Sequence, residues 1–124
     1  MTQNHREVVD DFFSRMENDV RRSTVGELFA DDAVISLSGI TFAGPDAASE
    51  MLAWLAPRYE WAAKEFDDWI ETDTVVVSQG TLYGVDKDGN RFEDIRYIDV
   101  YRFKDGKIAR VDIYNDLADE GVCP

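Results

Sequence analysis

A carboxylate set among aromatic rings is the group in this chain best suited to chemistry. Asp99 lies in Arg91–Asp116, R-F-E-D-I-R-Y-I-D-V-Y-R-F-K-D-G-K-I-A-R-V-D-I-Y-N-D, which reads as two long strands joined by a tight turn at Lys104-Asp105-Gly106-Lys107. Alternation along a strand puts Tyr97, Asp99, Tyr101 and Phe103 on one face and Arg96, Ile98, Val100 and Arg102 on the other. Apolar surroundings make an acid costly to ionise, which suits Asp99 to proton transfer or to donating a hydrogen bond while neutral. The bland alternative is a structural aspartate bonded to Tyr97, Tyr101 or an arginine. Tyr97 and Tyr101 can orient a ligand oxygen or simply fill the core. Asn115 shares the face of Val111 and Ile113, so it can offer an amide to a carbonyl or satisfy backbone groups near the strand end.

Other residues rank lower. Trp61 and Trp69 are candidates to line a pocket for a planar ligand, whereas Trp54 sits at helical spacing with Met51 and Leu55 and reads as core. Ser36 with Ser38, or Gln79 with Thr81, would add polar contacts inside the pocket if strand register points them there. Asp67-Asp68 does not make a metal pair, because adjacent strand residues face opposite ways, and the sole histidine, His5, lies near the start in a stretch expected to fray. Cys123 has no partner cysteine or nearby histidine, and no G-x-S-x-G, P-loop or G-x-G-x-x-G motif is present. No metal and no cofactor is therefore expected.

The elements that must position Asp99 follow from periodicity. Val8, Val9, Phe12, Phe13 and Met16 recur at helical spacing between Glu7 and about Asp19. Ser23-Thr24, with Glu27 as in a capping box, predicts a short second helix that buries Val25, Leu28 and Phe29 and ends at Asp31-Asp32. Ala33–Leu37 reads as a short strand and Gly39–Gly44 as a turn-rich crossing. Pro45-Asp46 opens a third helix through Met51, Leu52, Trp54 and Leu55, which Pro57 ends. Period-two patterning then predicts four hairpin-linked strands over Glu65–Ile70, Val75–Tyr83, Phe92–Phe103 and Ile108–Tyr114. Helices followed by an antiparallel meander indicate an α+β domain of residues 1–124, its strongly bent sheet forming a cone against three N-terminal helices. Cones of this kind leave an apolar cavity for a small apolar or aromatic molecule.

Composition narrows the partners. The chain has 124 residues, with 26 Asp and Glu against 13 Lys and Arg, and the net charge of −13 repels nucleic acid and anionic membranes. A single cysteine and the absence of an apolar leader or spanning run make the cytoplasm the default location. Ile98, Val100 and Tyr114 alternate with Arg96, Arg102, Arg110 and Asp112 on the outward face, a mixture that suits a homodimer through the sheet.

The order of elements, with Phe29-Ala30-Asp31-Asp32-Ala33 early and Val111-Asp112-Ile113-Tyr114-Asn115-Asp116 late, resembles the NTF2-like superfamily, a cystatin-like roll, and within it the SnoaL-like and ketosteroid-isomerase-like members. The superfamily holds isomerases, cyclases, dehydratases, epoxide hydrolases and non-catalytic binders, so the resemblance implies a fold more than a reaction. Ile98-Asp99-Val100-Tyr101-Arg102-Phe103 matches the I-D-x-F-R-F setting of the protonated aspartate in ketosteroid isomerases, which implies that role for Asp99. Their general base would fall at Leu37 and their tyrosine at Phe12, neither of which can serve. The last-strand aspartate of the epoxide hydrolases would fall near Ile113. What remains closest is the acid/base carboxylate of SnoaL-like cyclases. The expected function is cofactor-independent lyase or isomerase chemistry on a carbonyl- or phenol-bearing apolar substrate. The rival is a non-catalytic small-molecule binding or accessory module, and a protein-interaction domain using the outer sheet is a third class.

Overall fold

A computed structural model describes residues 4–37 and 39–118. The first helix, α1, spans His5–Met16 and turns Val8, Val9, Phe12 and Phe13 inward. Asn4 caps it by accepting from the Arg6 N–H, so His5 is a first-turn residue and not a frayed one, and its ring stacks on Phe103 with centroids 4.1 Å apart.

The second helix is a 3₁₀ helix over Arg22–Leu28, starting and ending earlier than expected. Thr24 does not build the capping box: its hydroxyl donates to the Arg21 carbonyl at 2.6 Å. Strand β1 accordingly starts at Phe29 and runs to Leu37, taking in the Asp31-Asp32 pair. The stretch expected to be a turn-rich crossing contains β2, Ile40–Ala43, which forms a hairpin with β1. Helix α2 follows over Ala47–Leu55. The four remaining strands are β3 (Tyr59–Glu71), β4 (Val75–Asp86), β5 (Arg91–Lys104) and β6 (Lys107–Asn115).

These strands form one six-stranded sheet in the order β2-β1-β6-β5-β4-β3. The sheet is mixed, not wholly antiparallel as expected: β1 runs parallel to β6, and every other neighbouring pair is antiparallel. A parallel pair needs a long crossover, and here everything from β2 to β5 supplies it. The helices do not all precede the sheet either, since the β1–β2 hairpin separates the 3₁₀ helix from α2.

Strand β3 carries two register shifts, between Tyr59 and Trp61 and between Phe66 and Asp68. Such bulges bend a strand and re-aim its side chains. Facing them on β4 are Gly80 and Gly84, where an added Cβ would run into the carbonyl oxygens of Glu65 and Trp61 respectively. Only glycine permits so close an approach of two backbones.

Helix α1, the 3₁₀ helix, α2 and the inner faces of β1, β5 and β6 build the larger apolar cluster, around Tyr101, Ile35, Met51 and Ile108. Leu82, Phe92, Ile95, Tyr97 and Leu117 make a second cluster at the other end of the sheet. Among the described residues no helix is long and apolar enough to cross a membrane.

Candidate functional site

Strand β5 alternates as its sequence predicts, with Tyr97, Asp99, Tyr101 and Phe103 all buried and Ile98 and Arg102 exposed. Asp99 therefore points to the helix-covered side, and only 2% of it is exposed. It borders a cavity of about 280 Å³ between the helices and the sheet. Helix α1 contributes Phe12 and Phe13 to the wall, α2 contributes Met51 and Trp54, and β6 contributes Ile113 and Asn115. A volume of this order holds a small organic molecule.

The two oxygens of Asp99 are unlike. Oδ2 accepts from the Tyr101 hydroxyl at 3.3 Å and lies 3.6 Å from the Lys64 ammonium. Oδ1 is buried without a hydrogen-bond partner. A buried carboxylate oxygen left unpaired carries a desolvation penalty, which makes it a ready acceptor for any proton a ligand brings. Burial raises the Asp99 pKa above the ordinary value; the nearby Lys64 charge is the largest opposing influence, followed by the Tyr101 hydrogen bond. Burial likewise pushes the Tyr101 hydroxyl well above its ordinary range, with the Asp99 charge adding to it. Tyr101 is thus held as a neutral donor.

The other sequence candidates separate. Tyr101 and Asn115 join Asp99 on the cavity wall. The Asn115 Oδ1 accepts from the Leu117 N–H at 3.2 Å, so Nδ2 is the group it can offer to a ligand. Tyr97 lies outside the wall, its hydroxyl 2.8 Å from the Ser78 Oγ and its pKa pushed up to about 12 by burial. Trp61 borders the cavity, but the residue is 44% exposed and its ring packs edge-on to Tyr83 at 6.0 Å. Trp69 does not border it: its ring is held between Phe66 and Phe13, with the Arg6 guanidinium 3.5 Å above. Trp54, read from sequence as core, is a wall residue instead, packed on Phe42 and covered by Arg58.

Register settles the polar pairs. Gln79 is exposed opposite Ile98, while its neighbour Ser78 is buried opposite Asp99. Thr81 pairs with Arg96 on the same outer side, and the Ser36 Oγ lies 3.5 Å from the Thr41 hydroxyl. Ser38 and Cys123 lie outside the described residues. Among the described residues no three acids, histidines or cysteines converge as a metal-ligand set.

Lys64 was not singled out from the sequence. Its strand was expected to begin at Glu65, but β3 begins at Tyr59 and pairs Lys64 with Leu82, which brings the ammonium in beside Asp99. A lysine alternating with Ala62 and Phe66 was the available signal.

Comparison with known proteins places the family and the fold. A model of the SnoaL-like domain family matches residues 9–111. No curated protein matches the chain in sequence. Among solved structures, an NTF2-like protein of unknown function from Burkholderia pseudomallei is similar with a TM-score of 0.83 at 18% identity, covering 95% of each chain. A Jannaschia protein taken for a SnoaL-like polyketide cyclase gives 0.81 at 17% identity over 96% of this chain and 90% of its own. TerC, co-crystallised with polyporic acid, also gives 0.81 at 17% identity, over 94% of this chain and 95% of its own.

Proposed function

The chain belongs to the SnoaL-like domain family, and from that premise we propose that it is a cofactor-independent lyase or isomerase, moving a proton next to a carbonyl in a small, largely apolar substrate. The observation that carries this reading is Asp99, a wall residue of an aromatic-lined cavity whose Oδ1 is buried without a hydrogen-bond partner. A carboxylate there, its pKa raised by burial, holds a proton more readily than an ordinary aspartate and so can accept one and return it. The bent sheet and its helices form the cone that holds the substrate, Tyr101 fixes the carboxylate, and Asn115 orients a ligand oxygen. TerC, which shares the fold, was crystallised with a small organic molecule, the kind of ligand this cavity would take.

Exchange of the α-protons of 2-tetralone in D₂O tests the reading. The wild-type protein is expected to accelerate deuterium uptake over buffer, with tetralone quenching the fluorescence of the wall residue Trp54. Neither quenching nor exchange, across a panel of aromatic ketones and phenols, ends the small-molecule reading. Quenching without exchange favours the second reading, a non-catalytic binder. That reading draws on Leu37 and Phe12, which face the cavity where ketosteroid isomerases would place a base and a hydroxyl.

A homodimer through the outer sheet face completes the proposal. Ile98 and Tyr114 pair across β5 and β6 with 39% and 58% of their surface exposed, among Arg96, Arg102 and Arg110. Exposed apolar groups ringed by charge suit a self-complementary two-fold contact. Sedimentation at micromolar concentration is expected to show a dimer that Tyr114→Asp splits. A wild-type monomer under those conditions removes the interface.

A further inference from the structure

The chain has four lysines, of which Lys87, Lys104 and Lys107 sit in or beside hairpin turns. Lys64 alone among them lines the cavity, with 22% of its side chain exposed. Its Nζ lies 3.6 Å from the Asp99 Oδ2, 4.7 Å from the centre of the Tyr97 ring and 5.1 Å from that of Phe13. A carboxylate and two aromatic rings thus surround the ammonium. An ammonium has three N–H donors, and one carboxylate oxygen does not occupy them all.

Tyr101, Arg22 and Asn115, also on the wall, are less suited to hold developing negative charge. The Tyr101 hydroxyl already donates to Asp99. Phe12 has no hydroxyl to give. The Arg22 Nε donates to the Met16 carbonyl at 2.7 Å, and its Nη2 pairs with Asp19 at 3.1 Å. Asn115 can add a hydrogen bond, but a neutral one.

We infer that Lys64 is the electrophilic catalytic residue of this site, its ammonium holding the oxygen of a ketone or aldehyde substrate as that oxygen becomes an enolate, while the Asp99 Oδ1 takes the α-proton. The inference rests on the reading of Asp99 as the acid/base group of a small-molecule cavity, and it names the substrate class: an apolar ring compound with an acidic C–H beside a carbonyl. In the step, the α C–H bond breaks and its proton goes to Oδ1. The released pair forms the C=C bond, and the carbonyl π pair moves onto oxygen, where the ammonium stabilises it. Return of the proton from Oδ1 to carbon completes the cycle with no net oxidation or reduction. Lys64 and Asp99 are already adjacent on the cavity wall, which suits base and electrophile acting on one carbonyl compound.

The groups facing Asp99 decide how pH separates this role from a merely supporting one. They are Lys64 from β3, Ser78 from β4, and Tyr97 and Tyr101 from β5; α1 turns Phe12 and Phe13 onto the Tyr101 ring, and β6 sets Ile113 opposite Asp99. Glu17, Arg22 and Glu60 also border the cavity. Removing Lys64 removes the main charge that favours ionised Asp99. If Lys64 only kept Asp99 ionised, raising the pH would restore activity.

The experiment is deuterium uptake by 2-tetralone across pH, after subtraction of the buffer rate, for wild type, Lys64→Met and Lys64→Arg, with tetralone binding read separately by tryptophan quenching. Lys64→Met is expected to lose about 10²–10³-fold at every pH while still binding tetralone, as loss of a single oxyanion donor does elsewhere. Lys64→Arg keeps the charge and is expected to keep part of the rate. Recovery of Lys64→Met at high pH, or a rate equal to wild type, overturns the inference and leaves the Asp99 reading in place. A wild-type protein that neither binds nor exchanges tetralone overturns the small-molecule reading itself, and the inference with it. Should Lys64→Met not fold, Lys64→Gln is read by the same outcomes.

Discussion

Asp99→Asn is expected to slow α-proton exchange by about 10²–10⁴-fold, the usual weight of a positioned general base, while leaving tetralone binding nearly unchanged. The amide is close in size to the carboxyl and can still accept from Tyr101, but it cannot take a proton from carbon. The same variant is expected to melt no lower than wild type at neutral pH. Burial raises the Asp99 pKa above its ordinary 3.8, so the folded protein binds that proton more tightly than the unfolded chain does. With more protons bound in the native state, stability falls as pH climbs from 3.8 through the raised folded value. Asparagine carries no such loss. The melting temperature of Asp99→Asn relative to wild type therefore rises across that window, and wild-type exchange rises over the same range as the base ionises. A variant that melts lower at every pH, with exchange intact, identifies a structural aspartate and sinks the catalytic one.

Gly80→Val is expected to destabilise the fold by about 3–5 kcal/mol, at the severe end of single substitutions. The added Cβ meets the Glu65 carbonyl oxygen and lies 3.1 Å from the Asp67 nitrogen, and both are backbone atoms that no rotamer change can clear. The strands must part or the bulge must be lost. For a domain of this size the melting temperature falls by roughly 10–20 °C. Exchange activity should fall as well, because the displaced Glu65 is the immediate neighbour of Lys64. Gly26→Ala is the matched control, since its Cβ would meet only the Ala48 Cβ at 3.9 Å, an ordinary contact. Equal melting of the two variants would show that the β3–β4 approach is not under steric constraint.

How far sequence reaches depends on whether a rule of period two survives along the strand. In β5 it does from Ile95 to Phe103, and the burial of Tyr97, Asp99 and Tyr101 on one face was legible from alternation. In β3 it does not. The bulge after Phe66 breaks the alternation, so Phe66 and Trp69 meet ring to ring at 5.2 Å although an alternating count puts them on opposite faces. Lys64 falls just before Glu65, where the period-two pattern starts, so alternation assigns it no face. The run Trp61-Ala62-Ala63-Lys64-Glu65 has little strand propensity of its own, and pairing with β4 imposes the conformation. The parallel contact of β1 with β6 was hidden for a different reason: a pairing across most of the chain leaves no local mark, and Phe29–Asp32 are four residues whose composition fits a helix end as well as a strand. Trp54 shows the limit of periodicity on helices, since helical spacing marks an inward face without saying whether that face meets side chains or empty space.

The parallel seam between β1 and β6 also governs when the protein can come into being. Phe29 waits for Ile108, and Val34, Ile35 and Ser36 wait for Arg110, Val111 and Asp112. On a ribosome the β1–β2 hairpin emerges early with one long edge unpaired, while β3, β4 and β5 can zip together by short hairpins as they appear. Closing the seam brings together segments far apart in the chain and is the entropically expensive step of folding. Leu37 arrives on the hairpin side of that seam, and Lys64 and Asp99 on the meander side. The cavity does not exist in any half of the chain: it appears only when the two halves join, so the capacity to bind is itself a report of completed folding.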